Sequence, residues 1–569
     1  MLIRELRQKA EPSPRQRAGV AAVTYHPNYS QRNELIMSFL KQKRSVDDIW
    51  PMYNKAVLVR VDFNVRVRNG VIAKSKGDQR IRAAIPTIRK IIDGGGKAIL
   101  MSHMGRPTGH KFSALRTCNE KKRRYLQIWR DEAGAGCTTF FSLCSGEDKK
   151  KILSWSSVSE TANAVMETEG AGKTDLFAAL SIEEKKSLLN RFQASDDRYC
   201  NFVFPHLRTY NGFDDELTLR PVAIRLSELL NESGLSPRVD VKFSEDCLDA
   251  DEMVASLEPG QVLLLENVRF YSDENSRKKS ERRIMAQQIA SYGDYFVSDA
   301  FGTCHRINSA TMVDVPSVLG HGGTGYLLQN EILAYAKLLG GTAPRPIVAI
   351  VGGTKVSDKL LLLEHILNQI DSLIIGGAIA FTFLKAAEYS IGNSFHEAGQ
   401  SFGDRYCEEM NIDDLARRFL LKGRACNVEI LLPMDHVCHT SCEATDALVT
   451  TKDAHVPDGY MALDIGPRTI AAYQKCISKC RTAVWNGPMG VYEIPTYSTG
   501  SFSIAKALGD ATQTRGLLSI IAGGASSDAA MSCGHASRVS HVSSGGAATL
   551  DLLEGKVLPG IEVLDDKVI

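Results

Sequence analysis

The stretch RPIVAIVGGTKVSDKL, residues 345–360, decides how this chain is read. Its apolar, β-branched run at 347–351 is too short for a typical helix and too uniformly apolar for a half-exposed strand. It predicts a strand buried on both faces, as in a parallel sheet. Gly352 and Gly353 then let the backbone approach a ligand closely, and a helix opening after them offers unpaired N–H groups and its positive dipole end to an anion. Lys355 and Lys359 lie four apart and share one face of that helix, with Asp358 between them in reach of a metal. Many α/β proteins carry such a turn, and lysines on a helix are usually just solvated, so other parts of the chain must decide.

At 569 residues the chain exceeds what one hydrophobic core usually supports, which implies at least two domains. Lys and Arg number 68 against 66 Asp and Glu, a formal net charge of +2. Bulk charge therefore attracts neither nucleic acid nor membrane, and any anion site is local. The 13 cysteines lack the spacing of a secreted module, which points to a reducing compartment and free thiols. No apolar run reaches the length of a membrane span and the N-terminus has no signal-peptide core, so a soluble intracellular protein is expected.

Residues 1–43 are polar and basic, with one weakly helical piece at 34–40, and read as a poorly ordered extension. AVLVRVDFN, 56–64, predicts a strand whose end presents Asp62 and Asn64 on one side. An amphipathic helix at 79–93 opens with Arg80 and Arg82, and a second buried strand at 98–103 delivers His103 and Arg106 in SHMGRP. Strand ends are where α/β sheets hold ligands, and Asp, Asn, His and Arg gathered there suit a polyanion. Any one of these arginines alone would more often be a plain surface charge. From 109 to 216 the pattern changes to basic clusters, two tryptophans and one well-signalled helix, SIEEKKSLLNRF, with Ser181 and Glu184 as a capping box. Its EGAGKT fails as a Walker loop, since Glu167 stands where the first glycine belongs and no buried strand precedes it. The region reads as an insertion.

The α/β pattern resumes with an amphipathic helix at 217–230, a strand at 261–267 that delivers Arg269, and a strand at 295–297 that opens into DAFGTCHRINSAT with Arg306. After a helix at 326–339 and the joint GGTAPRP come strands at 347–351, 372–375, 428–432, 482–485 and 517–521, most ending in glycine-rich turns. These describe a second doubly wound domain. The absence of G-x-G-x-x-G argues against a dinucleotide-binding module. His436, Cys438, His439 and Cys442 are spaced too tightly for a metal site and read as ordinary loop residues. Cys476 and Cys480, four apart on a predicted helix, read as packing.

With VDFNV, SHMGRP, LLLENVRF, SDAFGTCHR, VGGTKVSDK, VWNGPMGV and HVSSGG in place, the chain from about 46 to 565 resembles the phosphoglycerate kinases, and DHVCHT and MALDIGP resemble the kinetoplastid branch. The resemblance implies the phosphoglycerate kinase fold, an α/β architecture of two doubly wound parallel-sheet domains joined by a hinge that closes on its ligands. It implies a glycerate-binding domain at 44–325, a linker helix and hinge at 326–345, a nucleotide-binding domain at 346–547 and a C-terminal segment, 548–569, packing back towards the first domain. Transfer between 1,3-bisphosphoglycerate and ADP, giving 3-phosphoglycerate and ATP, is the implied reaction, with Mg2+ accompanying ATP or ADP. Asp62, Asn64, Arg80, His103, Arg106, Arg269 and Arg306 become the glycerate side. Gly353, Thr354, Lys355, Lys359, Gly377, Asn486, Pro488, Val491, Glu493, Gly523, Gly524 and Ser526 become the nucleotide side. Arg80, Lys359 and Lys355 are the expected catalytic cations, and Asp358 the metal-associated carboxylate.

The chain departs from the family pattern where AGGAS at 522–526 replaces the usual G-G-G-D-T or G-G-G-D-S, so Ala525 stands for an aspartate. Ala547 replaces a glycine of the catalytic loop, and Arg66 a proline. Reduced turnover is the consequence expected. The alternative is a degenerate paralogue acting as a ligand-binding regulator or scaffold, with the insertion as a docking surface. A monomer in the glycosome or cytoplasm is expected, the ending Lys567, Val568, Ile569 being no peroxisomal-type signal.

Overall fold

The computed structural model describes residues 43–49, 51–74, 77–107, 216–232, 238–354, 359, 363, 366–397, 411–443, 446 and 448–567. The helices expected at 34–40 and 181–192, nearly all of the insertion, and Lys355 and Asp358 lie outside them. The described residues divide into two compact units, one formed by 49–297 with 308–321 and the other by 43–48, 298–307 and 322–567.

The first unit is built from β1 (Ala56–Val61), α1 (Gln79–Asp93), β2 (Lys97–Met101), α2 (Arg220–Asn231), β3 (Val241–Phe243), β4 (Val262–Leu264), α3 (Lys279–Ala290) and β5 (Tyr295–Asp299). Its strands lie in the order β3-β4-β2-β1-β5. β1 pairs with β2, β2 with β4 and β3 with β4, all parallel. Val57, Leu58, Val59 and Val61 are wholly buried, as an apolar run between two helical layers requires. On α1, Ile81, Ala84, Ile88 and Ile91 recur at three- and four-residue spacing and bury one face, while Arg80 and Arg82 stay on the other.

In the second unit come β6 (Gly322–Thr324), α4 (Tyr326–Leu339), β7 (Ile347–Val351), β8 (Ser372–Ile375), α5 (Ile379–Ala386), α6 (Ile412–Ala425) and β9 (Glu429–Leu431). They are followed by β10 (His436–His439), β11 (Val449–Thr450), β12 (Met461–Ile465), α7 (Pro467–Lys479), β13 (Thr482–Asn486), α8 (Thr499–Arg515), β14 (Leu518–Ala522), α9 (Gly524–Ser532), β15 (His541–Val542) and α10 (Ala547–Leu553). The main sheet runs β9-β8-β7-β13-β14-β15, parallel throughout, so β7 lies inside it and its turn opens where the strand order reverses. Trp485 is wholly buried in a core with Ile350, Ile374, Tyr473, Ile477, Ile504 and Ile521, and Cys476 and Cys480 belong to that core as packing groups.

One feature corrects the sequence reading. His436, Cys438 and His439 are not loop residues: they form β10, the middle strand of an antiparallel sheet β11-β10-β12. His436 and Cys438 point to its buried side, and burial lowers the His436 pKa to about 4 and raises that of Cys438 to about 12. Among the described residues no three His, Cys, Asp or Glu side chains gather as a metal site. The unit also ties down its outer segments, with Arg44 N donating to Asp565 O at 2.9 Å and Lys43 Nζ donating to Leu564 O at 2.7 Å.

Candidate active site

In the first unit β1 ends at Val61, and the next residues turn over the top of the sheet. Phe63 is buried and its N–H donates to Ser102 Oγ at 2.9 Å, which leaves Asp62 and Asn64 facing outward together. Asp62 accepts from Asn64 N at 3.2 Å and from Arg80 NH1 at 2.7 Å. Asn64 Oδ1 accepts from Gly105 N at 3.0 Å, so the ends of β1 and β2 are laced together. His103 is buried, with Nδ1 3.2 Å from Arg60 NH2, and Arg60 donates from Nε to Thr311 Oγ1 at 2.9 Å. Arg106 is exposed.

Arg269 is mostly buried, and its NH1 donates to Gly105 O at 2.6 Å. Asn267 organises that corner: its side chain accepts from Met104 N at 3.1 Å and from Arg269 N at 3.1 Å, and donates to Met104 O at 2.8 Å. Glu266 beneath it accepts from Leu219 N and Thr218 Oγ1 at 2.8 and 2.6 Å, and burial raises its carboxyl above the usual range. The structure thus gathers Asp62, Asn64, Arg80, His103 and Arg269 at or just beyond one set of strand ends. Arg306 lies in 298–307, a segment of the other unit. Its Nε is buried without a hydrogen-bond partner among the described residues, as is Nδ1 of His305. Burial and the charge of Arg306 hold the His305 pKa down.

In the second unit the turns after β7, β8 and β13 are knitted through backbone, and the Ser526 side chain ties the turn after β14 to them. Gly352 N donates to Asn486 O at 2.9 Å, Gly353 N to Pro488 O at 3.1 Å and Gly377 N to Met489 O at 3.0 Å. A Cβ on Gly352 would stand 2.1 Å from Pro488 O, and Gly377 has φ +63°. The two turns fit together only because both are glycine. Lys359 Nζ donates to Gly352 O and, at 3.2 Å, to Asn486 O. Thr354 is exposed, as is Glu493, two residues past Val491, whose N–H donates to Leu463 O at 2.9 Å.

Gly523, at φ +85°, and Gly524 open α9, where Ala525 and Asp528 are exposed. Ser526 is wholly buried and its hydroxyl is committed to the turn, accepting from Gly487 N at 3.1 Å and donating to Ala522 O. Ser527, which sequence reasoning passed over, is also buried, and its Oγ has no hydrogen-bond partner among the described residues. The only sequence signal for it is its place one residue past the turn. A further residue missed from sequence is Asp464, at the end of β12 and against Gly490 of the β13 loop. It accepts from Gly500 N at 2.6 Å and Ile465 N at 2.9 Å, and burial raises its pKa to about 7.

A family model described as "Phosphoglycerate kinase" matches residues 46–149 and 186–556, running past both edges of the expected insertion and leaving only 150–185 unmatched between. A glycosomal phosphoglycerate kinase of Trypanosoma congolense is 52% identical over 533 residues, covering 94% of this chain and 99% of that protein. Phosphoglycerate kinase A of Trypanosoma brucei brucei is 50% identical over 527 residues, 92% of this chain and 97% of its own. A cytosolic form from Trypanosoma congolense is 46% identical over 529 residues, 93% and 100% respectively. Among solved structures, phosphoglycerate kinase from Coxiella burnetii superposes with a TM-score of 0.61 at 29% identity, covering 92% of this chain and 98% of that one.

Proposed function

Because the chain belongs to the phosphoglycerate kinase family, a family of phosphotransferases, we propose that its two sets of strand ends carry the reversible transfer between 1,3-bisphosphoglycerate and ADP that yields 3-phosphoglycerate and ATP. Asp62, Asn64, Arg80, His103, Arg106, Arg269 and Arg306, within 44–325, bind the glycerate ligand. Gly353, Thr354, Lys355, Lys359, Gly377, Asn486, Pro488, Val491, Glu493, Gly523, Gly524 and Ser526, within 346–547, hold the nucleotide, with Glu493 on the ribose. The observation that carries the assignment is the division of chemistry: the cations Arg80 and Arg269 sit at or beside the strand ends of one sheet, and open glycine backbone ends the strands of the other.

An oxygen of the ADP β-phosphate attacks the acyl phosphorus, the bond from phosphorus to the carboxyl oxygen breaks, and 3-phosphoglycerate leaves as a carboxylate. The attacking oxygen is already anionic and the departing carboxylate is a stable anion at neutral pH, so no side chain has to move a proton. What the protein must supply is alignment and neutralisation of the three equatorial oxygens. Arg80, with a planar fork, suits the transferring group, and Lys359 and Lys355 add mobile point charges from the nucleotide side. Magnesium fits as a companion of the nucleotide, because it keeps several waters and needs only one or two carboxylates. Asp528, exposed one turn beyond Ala525, and Asp358, which the family resemblance adds, are the carboxylates that would hold it, and it would neutralise phosphate charge. The chain is read as a monomeric enzyme of glycosome or cytoplasm, since its relatives carry both designations.

A steady-state assay with ATP, magnesium and 3-phosphoglycerate tests this directly. Turnover that disappears when 3-phosphoglycerate is omitted is expected. Tight binding of both ligands with no turnover would move the protein to the alternative of a ligand-binding regulator.

A further inference from the structure

Asp78 is the last residue before α1, two positions ahead of Arg80, and it is wholly buried. It does not cap its own helix, since its side chain makes no bond to the free N–H groups of the first turn. Its Oδ2 instead accepts from Nε and NH2 of Arg225, on α2, at 3.0 and 2.7 Å, and its Oδ1 accepts from Nε of Arg82 at 3.2 Å. Arg225 is itself 6% exposed and reaches Glu232 at 3.2 Å and Glu228. Arg82 closes the network with a forked pair of bonds to Glu232 at 3.0 and 3.2 Å. The first turn of α1 is thus riveted sideways to α2.

Ahead of the helix, Ala73 and Lys74 are exposed, and Gly77 N donates to Ala73 O at 2.9 Å. Arg80 stands on the riveted turn and donates to Asp62 at 2.7 Å. A buried ion pair is a poor way to gain stability, because desolvation consumes most of the attraction, whereas its forked geometry fixes direction and distance. Direction and distance are what a charge aimed at a transferring phosphoryl group requires, since small misplacements are costly in rate.

We propose that Arg225 is a positioning residue for phosphoryl transfer, holding the first turn of α1 through Asp78 and so setting where Arg80 presents its guanidinium. The inference rests on the role given above to Arg80. It gives α2 a part in catalysis although none of its side chains is assigned to ligand.

The test is a double-mutant cycle read as kcat at saturating MgATP and 3-phosphoglycerate. Arg225→Lys keeps the charge and the stem but loses the fork; kcat should fall by about 10-fold, and Arg225→Met should lower it by up to about 100-fold, with KM for ATP unchanged. In an Arg80→Ala background the same substitutions should leave kcat within about twofold of Arg80→Ala alone, because the group being positioned is gone. Where Arg225→Met does not yield folded protein, Arg225→Lys carries both comparisons. Losses that simply add in the two backgrounds, or a folded Arg225→Lys protein with parental kcat, overturn the proposal. Parental kcat in Arg80→Ala alone would sink the role of Arg80 and this inference together, so the two failures are told apart.

Discussion

The guanidinium of Arg80 lies 2.7 Å from the carboxylate of Asp62, so an incoming phosphate must compete with an anion already in place. Arg80 is nearly half exposed in that pair, which makes the contact weak enough to exchange. Arg80→Ala should therefore lower kcat by about 100-fold to 1,000-fold, the usual cost of one preorganised stabiliser, while KM for 3-phosphoglycerate changes little. Steady-state kinetics in both substrates decides it, and near-parental kcat would remove Arg80 from the chemistry.

Ala525 is exposed in the first turn of α9, where the family pattern has an aspartate. A carboxylate there meets the positive end of the helix, so Ala525→Asp should fold at least as well as the parent. We expect it to raise kcat and to lower the magnesium concentration needed for half-maximal rate. A full magnesium titration of both proteins checks this, and superimposable curves would make Ala525 a neutral loop residue.

Gly352 has no room for a side chain: a Cβ would stand 2.1 Å from Pro488 O and 2.7 Å from Gly487 O, both backbone. Gly352→Ala must push the β7 and β13 turns apart, at a strain of roughly 1–3 kcal/mol. Nucleotide affinity should fall while 3-phosphoglycerate affinity is retained. Calorimetric titration with each ligand separately would show whether the effect stays on the nucleotide side.

Asp464 links stability to pH with a sign opposite to that of most carboxylates. Its folded pKa, raised to about 7 by burial, lies above the unfolded value of 3.8. Between these the folded state binds more protons than the unfolded, so its contribution to stability falls as pH rises from about 4 to about 7, by an amount on the order of 4 kcal/mol. Asp464→Asn should flatten that part of the profile. Thermal midpoints at several pH values, compared between the two proteins, would refute the assignment if both fell in parallel.

Much of the scaffold was legible because its signals are local. The expected spans at 79–93, 326–339, 347–351 and 372–375 coincide with α1, α4, β7 and β8. The strand expected to reach His103 stops at Met101, because Ser102 turns its hydroxyl to Phe63 N instead of continuing the ladder. The β10–β12 sheet went unseen, since HVCH is only four residues long and mixed in polarity. At the site, residue types were legible but their supports were not. Arg225 lies 147 residues from Asp78, across the whole inserted region, and no period or motif connects them. Asp464 likewise reads as one acid in an apolar strand until Gly490 and Gly500 close over it.

The bonds from Lys43 and Arg44 to the 564–565 segment also impose a timetable on synthesis. Lys43 and Leu564 are 521 residues apart, so at roughly 5–20 residues per second the ribosome needs about 25–100 s between making the two. Partway through that interval the early segment can meet the middle of the chain, where Thr324 N donates to Arg44 O at 2.8 Å and Tyr326 Oη to Asp47 at 2.7 Å, but its bonds to 564–565 wait for the end. The second unit therefore receives its final tie only when nearly all of the chain has been made.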